Sequence, residues 1–317
     1  MKVKTKIFID GKEGTTGLQI YERFENRNDL EILLIDDEKR KDPAERAKMI
    51  NASDITFLCL PDKAAVEAVS LVTNPDVRII DASTAHRTNP AWDYGFPELS
   101  KAQREKIAKS KRVANPGCYA TGFISLVYPL VKAGVLPEDY PLTCHAVSGY
   151  SGGGKKMIAV MEGDDKPFEC YSPRQYALGQ THKHLPEMQT VCGLKYKPMF
   201  NPIVDDYYKG MVVTVPLVSR ALSKSYTPEN IHEIMSAHYE GQRFVKVMEL
   251  YGKETLPDGF LAANTLAGTN DLQIFVCGND EHILLCSRLD NLGKGASGAA
   301  VQNMNIMLGI DEATGLI

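Results

Sequence analysis

Ile7-Phe8-Ile9-Asp10-Gly11-Lys12-Glu13-Gly14-Thr15-Thr16-Gly17-Leu18 is the stretch on which the fold turns. A short apolar run ends in an acid, three glycines follow three residues apart, and a helical pattern opens directly behind them. Glycines at a strand-to-helix turn let a pyrophosphate approach the backbone with no Cβ in the way, and the first N–H groups of the helix meet its charge. Thr15 and Thr16 add hydroxyl donors. Gly11, Gly14, Thr15, Thr16 and Gly17 are therefore candidate dinucleotide ligands. The spacing is not G-x-G-x-x-G, so an ordinary tight turn is the competing reading of these residues taken alone.

The surroundings favour the first reading. Short apolar runs at Lys4–Ile9, Glu31–Asp36, Ile55–Leu60, Arg78–Asp81 and Arg112–Ala114 read as strands. Between them lie helical patterns: Thr15 to Phe24 with Leu18, Tyr21 and Phe24 on one face, Lys63 to Val72 with Asp62 as its cap, and Lys101 to Lys109 opened by Ser100 and Gln103. Alternating strands and helices imply right-handed crossovers and a parallel sheet covered on both faces. Asp36 follows Gly17 by 19 residues, where a carboxylate usually holds the 2′-hydroxyl of NAD. Lys39, Arg40 and Lys41 stand just beyond it and can neutralise a 2′-phosphate, so NADP is the expected cofactor.

After about residue 140 the pattern changes. Met211–Val215 is a β-branched run stopped by Pro216. Leu272–Cys277 and His282–Leu289 flank Gly278-Asn279-Asp280, a hairpin signal. Pro228–His238 reads as a helix capped by Thr227, and Ala296 to Leu308 as a closing helix ending before Gly309. A largely antiparallel sheet is expected for this half. The sequence as a whole is α/β.

Composition narrows the function. The 317 residues carry a net charge of −4, with 44% apolar and 24% charged residues, so a sizeable core is available and there is no bulk basic field for nucleic acid. No apolar run approaches the ~18–20 residues that cross a bilayer. The opening MKVKTKIFIDG is too polar for a secretory core, and a cytoplasmic protein is expected. The seven cysteines are scattered and form no CxxC pair, which argues against a disulfide framework or zinc finger.

One cysteine stands apart. In Asn115-Pro116-Gly117-Cys118-Tyr119-Ala120-Thr121-Gly122, an apolar helix starts near Cys118. A thiol in a helix's first turn faces unpaired N–H groups and the positive end of the dipole, which favour the nucleophilic thiolate. Those N–H groups also suit an oxyanion. Cys59, Cys144, Cys277 and Cys286 sit in apolar runs and read as core. Beyond this, Ser83 and Arg87 follow the fourth strand in Asp81–Arg87, where ligands gather in parallel sheets. Ser148-Gly149-Tyr150-Ser151-Gly152-Gly153-Gly154-Lys155-Lys156 reads as a mobile anion-binding loop or a plain surface loop. His182-Lys183-His184-Leu185-Pro186-Glu187 offers two imidazoles and a carboxylate. No third metal ligand is evident, so a proton-transferring base serving Cys118 is preferred to a metal hydrolase.

Taken together these blocks, with Tyr94–Leu99 and Asp290–Asn303, resemble the N-acetyl-gamma-glutamyl-phosphate reductases of arginine biosynthesis in their shorter bacterial form. These belong to a superfamily with aspartate-semialdehyde and glyceraldehyde-3-phosphate dehydrogenases. The resemblance runs in order along nearly the whole chain except about residues 220–270. It implies a Rossmann-type NADP-binding domain formed by residues 1–117 with 296–317, and an α+β catalytic and dimerisation domain over residues 118–295. It also implies NADPH-dependent reductive dephosphorylation of an acyl phosphate through a Cys118 thioester, with His182 favoured over His184 as acid/base. Arg87 would bind phosphate, with Ser148 and Gly149 near the substrate and Ser83 and Asn291 near the cofactor. A homodimer or homotetramer without metal is expected. Aspartate-semialdehyde dehydrogenase and a non-catalytic NADP-binding regulator are the competing readings.

Overall fold

The computed structural model describes residues 4–252 and 256–316. The chain forms two compact units, one running to Pro116 and resuming at Ala296, the other spanning Gly117–Gly295.

The first unit contains β1 (Thr5–Asp10), α1 (Thr15–Phe24), β2 (Leu30–Leu33), α2 (Pro43–Ala52), β3 (Ile55–Leu58), α3 (Asp62–Ser70), β4 (Arg78–Asp81), β5 (Asp93–Tyr94), α4 (Lys101–Lys109) and β6 (Arg112–Ala114). Its six strands lie in the order β2-β1-β3-β4-β6-β5, every pair parallel. Alternate side chains leave each strand on opposite faces, and both faces are covered. Ile7, Ile9, Phe57 and Ile80 pack with Ile20 and Phe24 of α1 and with Ala300, Val301 and Met304 of the closing helix, Gly298–Leu308. Phe8, Leu58 and Ile79 pack instead with Ile50 of α2 and with Ala65 and Ala68 of α3. Burying a side chain such as Phe24 in the first layer or Phe8 in the second contributes about 1.5–3 kcal/mol, so neither layer is dispensable. Strand order reverses between β1 and β3, and a crevice opens there at the carboxyl ends of the strands.

Several boundaries differ from expectation. β2 stops at Leu33 rather than Asp36 because β1 pairs with it only over Thr5–Phe8. Asp62 does not cap α3; Pro61 holds that position, and the Asp62 carboxylate accepts from Thr84 N (2.9 Å) and Thr84 Oγ1 (2.6 Å). Helix α2 was not anticipated, although its signal is present: Asp42 Oδ1 accepts from Ala44 N at 2.8 Å, with Pro43 at the first helical position. The closing helix begins at Gly298, after a π-helical turn over Gly293–Ser297, and ends at left-handed Gly309.

The second unit contains α5 (Cys118–Lys132), β7 (Thr143–Gly149), α6 (Gly154–Glu162), β8 (Arg174–Gln175), α7 (Leu185–Cys192), β9 (Met199–Asp205), β10 (Met211–Val218), α8 (Pro228–His238), β11 (Val245–Val247), β12 (Leu272–Gly278) and β13 (His282–Leu289). Seven strands form one mixed sheet, β11-β12-β13-β10-β7-β9-β8, mostly antiparallel but parallel at β7–β9 and β11–β12. Pro216 does not stop β10. Pairing with β7 ends at Thr214, so the missing N–H falls on an edge with no ladder to break. The Ser151–Gly154 segment is not a free loop: it makes a 3-10 turn that leads into α6, with Ser151 buried. Thr227 caps α8 with a reciprocal Asn230 contact.

Candidate active site

The glycine stretch folds tightly at the mouth of the crevice. Gly11 has φ +88°, a conformation that favours glycine, and a Cβ there would collide with the carbonyl of Cys59. Gly14 N donates to Gly11 O (3.0 Å), and Gly14 stands as an extended N-cap with no side-chain cap on α1. Thr15, Thr16 and Gly17 open that helix, and its first turn carries no acidic residue. Its amides and dipole therefore suit an anion. A cleft of about 540 Å³ adjoins the turn, lined by Gly11, Gly14, Asp37, Arg40 and Lys41 among others. Asp36 and Lys39 do not line it; Asp36 Oδ1 instead accepts from Glu38 N at 3.0 Å. Below the turn, Asp10 is buried against Arg46, whose Nη2 lies 2.9 Å from Asp10 Oδ2. Burial pushes the Asp10 carboxyl pKa up, against the lowering pull of Arg46.

Ser83 Oγ donates to Asp81 Oδ2 (2.8 Å), and the same carboxylate meets His86 Nδ1 at 2.6 Å, with the His86 ring stacked on Trp92. Arg87 is buried and gives Nε to Asn115 O (2.9 Å) and Nη2 to Ala82 O (3.0 Å).

In the second unit, Cys118 is the first residue of α5, behind an extended Gly117 that provides no side-chain cap. Gly117 N donates to Glu187 Oε1 at 2.9 Å, and that carboxylate is buried. The helix is seated hard on the sheet: a Cβ at Gly122 would lie 2.5 Å from Val213 Cγ2, and Ser287 Oγ donates to Gly122 O (3.1 Å). Gly295 presses on Cys118 itself, since a Cβ there would stand 2.7 Å from Cys118 Cβ. Burial pushes the thiols of Cys59, Cys144, Cys192 and Cys277 up, and that of Cys286 up to about 11. Cys118 is partly exposed, as are Cys59 and Cys277, but among the cysteines it is the one that opens a helix.

Both candidate histidines pack on the residue after Cys118. The Tyr119 ring lies 5.8 Å from His182 and 5.9 Å from His184. Phe200 (5.0 Å) and Tyr176 (5.9 Å) complete the wall around His182. His182 Nδ1 accepts from His184 N at 3.1 Å, which fixes the neutral tautomer with its proton on Nε2. His184 is buried at the start of α7, whereas His182 is half-buried. Tyr176 Oη donates to Tyr119 Oη (2.9 Å), and burial pushes both phenols up, so they stay protonated donors.

Ser148 and Gly149 end β7, and a Cβ on Gly149 would lie 2.6 Å from Tyr208 O. Asn291 is buried with its amide engaged on both sides, giving Nδ2 to Ser151 Oγ (3.0 Å) and accepting from Gly210 N (2.8 Å). The second unit thus brings together Cys118, His182 and His184. Sequence reasoning missed Gly295 and Tyr176, and took Glu187 only as part of a polar cluster. A glutamate in the first turn of a helix after two histidines was an available signal for Glu187; nothing local marked the other two.

The chain is 50% identical to N-acetyl-gamma-glutamyl-phosphate reductase 2 of Nostoc sp., with 99% of each covered, and 50% identical to the enzyme of that name from Pseudomonas putida, with 98% of each covered. It belongs to the N-acetyl-gamma-glutamyl-phosphate reductase family. The model of the semialdehyde dehydrogenase NAD binding domain matches residues 6–110, and that of the semialdehyde dehydrogenase dimerisation domain matches residues 118–291. The fold is shared with aspartate semialdehyde dehydrogenase II of Vibrio cholerae (TM-score 0.72, 13% identity, 97% and 99% coverage) and with aspartate semialdehyde dehydrogenase of Francisella tularensis (TM-score 0.72, 15% identity, 96% and 100% coverage). This reductase is an oxidoreductase with a dinucleotide-binding unit.

Proposed function

We infer that the enzyme converts N-acetyl-L-glutamyl 5-phosphate to N-acetyl-L-glutamate 5-semialdehyde and phosphate in arginine biosynthesis, with NADPH as reductant. The observation that carries this reading is the packing of Cys118 at the head of α5, with Glu187 on Gly117 N and both histidines against Tyr119. The Cys118 thiolate attacks the acyl carbon while the first-turn amides of α5 donate hydrogen bonds to the developing oxyanion. Phosphate leaves, and a thioester remains on the sulfur. When bound, the reduced dinucleotide supplies hydride to that thioester. His182, holding its proton on Nε2, donates a hydrogen bond to the oxygen anion that hydride addition leaves; the anion collapses to the aldehyde carbonyl as the carbon–sulfur bond breaks, and Cys118 departs as the thiolate.

The choice of NADP is supported by Arg40 and Lys41 at the cleft, and the dinucleotide reading by Gly11, Gly14 and the uncapped start of α1. The first unit then serves as the cofactor domain and the second as the catalytic and dimerisation domain. Arg87 is the proposed phosphate ligand, with Ser148 and Gly149 at the substrate and Ser83 and Asn291 serving the cofactor. A homodimer or homotetramer in the cytoplasm fits the match to a dimerisation domain and seven free cysteines. Among the described residues no helix is long and apolar enough to cross a membrane.

The test is oxidation of N-acetyl-glutamate 5-semialdehyde with phosphate and NADP, run beside aspartate semialdehyde and NAD. The N-acetylated substrate with NADP is expected to give the highest kcat/KM. Equal turnover of aspartate semialdehyde would move the assignment to that dehydrogenase. Full activity in Cys118→Ser would remove the thioester.

A further inference from the structure

Among the described residues, a cation on the catalytic face of the second sheet has no oxygen to hold. Arg174 opens β8 and stands opposite Val204 of β9, and Val204 stands opposite Ser148 of β7. The three residues form one cross-strand row, and residues opposite one another project from the same face. That face is the one bearing Phe200, two pleats along β9 from Val204, whose ring packs on His182 and Tyr119. One more pleat along the chain from Arg174 comes Tyr176, which continues the pairing through Tyr176 N to Pro202 O and gives its hydroxyl to Tyr119. Arg174 therefore shares a face with His182 and a row with Ser148.

Its guanidinium is poorly served there. The Nε atom is buried with no hydrogen-bond partner, and Nη2 reaches only the sulfur of Met161, at 3.3 Å. Thioether sulfur is a weak acceptor. The unit's other arginines do not share this condition: Arg288 gives its N–H groups to Gln273, Thr265 and the carbonyl of Ala262, while Arg220 and Arg243 are exposed. An arginine fork left without a carboxylate, on the wall that carries the acid/base, matches the geometry of a planar anion supplied by a ligand. The substrate inferred above has one such group besides its phosphate, the α-carboxylate at the far end from the reacting carbon.

We propose that Arg174 binds the α-carboxylate of the substrate and so selects amino-acid-derived aldehydes and acyl phosphates over simple ones. The proposal rests on the reaction assigned above and adds a residue that selects the substrate. It is tested by comparing N-acetyl-glutamate 5-semialdehyde with 4-acetamidobutanal, the same aldehyde with hydrogen in place of the carboxylate, both oxidised with NADP and phosphate. Wild-type turnover of the first aldehyde is measured first, so failure of the reaction assignment shows in the unaltered chain and failure of the Arg174 assignment only in the variants. Loss of a charge-assisted pair predicts that Arg174→Met lowers kcat/KM for the carboxylated aldehyde about 100-fold while 4-acetamidobutanal changes by less than about threefold. Arg174→Lys keeps the charge without the fork and loses about tenfold on the carboxylated aldehyde alone; it supplies the same comparison if the methionine variant does not fold. Equal losses on both aldehydes, or no loss on either, would overturn the proposal.

Discussion

Replacing Gly295 by alanine tests whether the seat of Cys118, the proposed nucleophile, is as tight as the structure describes. The added Cβ would stand 2.7 Å from Cys118 Cβ, about 0.8 Å short of the ~3.5 Å at which carbon atoms meet favourably. Its other near neighbours are Cys118 Cα and the carbonyl of Asp290, each 3.1 Å away, and backbone cannot rotate aside. Gly295 is itself tied by its N–H to Asp290 O (2.9 Å), so the strain passes to the head of α5. Overpacking of this kind costs about 1–3 kcal/mol of stability. A displacement near 1 Å at a reacting atom costs about 100-fold in rate. The expected result is a kcat/KM about 100-fold below wild type, measured by NADPH absorbance, with a Tm lowered by a few degrees and slower alkylation of Cys118 by iodoacetamide. Gly309→Ala is the control: Gly309 has φ +67° and open space around it, so the variant loses stability with little change in kcat. Wild-type kinetics in Gly295→Ala would refute the geometry of the seat.

The two histidines should separate by assay. His182→Gln is expected to lower kcat by about 100–1,000-fold with little change in Tm, whereas His184→Gln, altering a buried side chain, should lower Tm as well; the reverse pattern would exchange their roles. Changing Arg40 and Lys41 together to serine should raise KM for NADPH at least tenfold and leave KM for NADH within about twofold, as steady-state kinetics with each cofactor would register. Burial holds the pKa of His238 below its ordinary 6.5, so the native ring stays neutral where the unfolded one protonates. Its contribution is fully present above pH 6.5 and is lost as pH falls through the folded value, so Tm should drop as the buffer is acidified below about 6.5. His238→Gln should flatten that part of the profile, and an unchanged slope would place its origin elsewhere.

The fold was readable where local chemistry and tertiary structure demand the same thing. Arg78–Asp81, Arg112–Ala114, Pro228–His238 and His282–Leu289 stand where the pattern of apolar runs and caps puts them. The turn between the last two strands follows from Gly278 at φ +109° and from Asn279 Oδ1, which accepts from Glu281 N and His282 N. Strand ends were less legible, because β2 ends where its neighbour stops pairing rather than where its apolar residues stop. The site divides in the same way. Cys118 announced itself by standing at a helix start, a property of adjacent residues. The contacts that hold it come from far along the chain: Glu187 meets Gly117 across 70 positions, and Tyr176 meets Tyr119 across 57. No window of sequence contains both partners, so neither contact could be read from one.

The return of the closing helix to the first unit has a consequence for synthesis. Ala300, Val301 and Met304 complete the layer begun by Ile7, Ile9 and Phe24, so this layer waits until residues beyond 300 have left the ribosome. Until then one side of the sheet is covered by α1 but not by the closing helix, and the apolar surface left open is exposed to chaperones and to misassembly. The interposed unit, Gly117–Gly295, does not wait for residues beyond 295 and can reach its native packing earlier. Removing the helix Gly298–Leu308 should therefore strip cofactor affinity and solubility first, while leaving the unit that bears Cys118 folded.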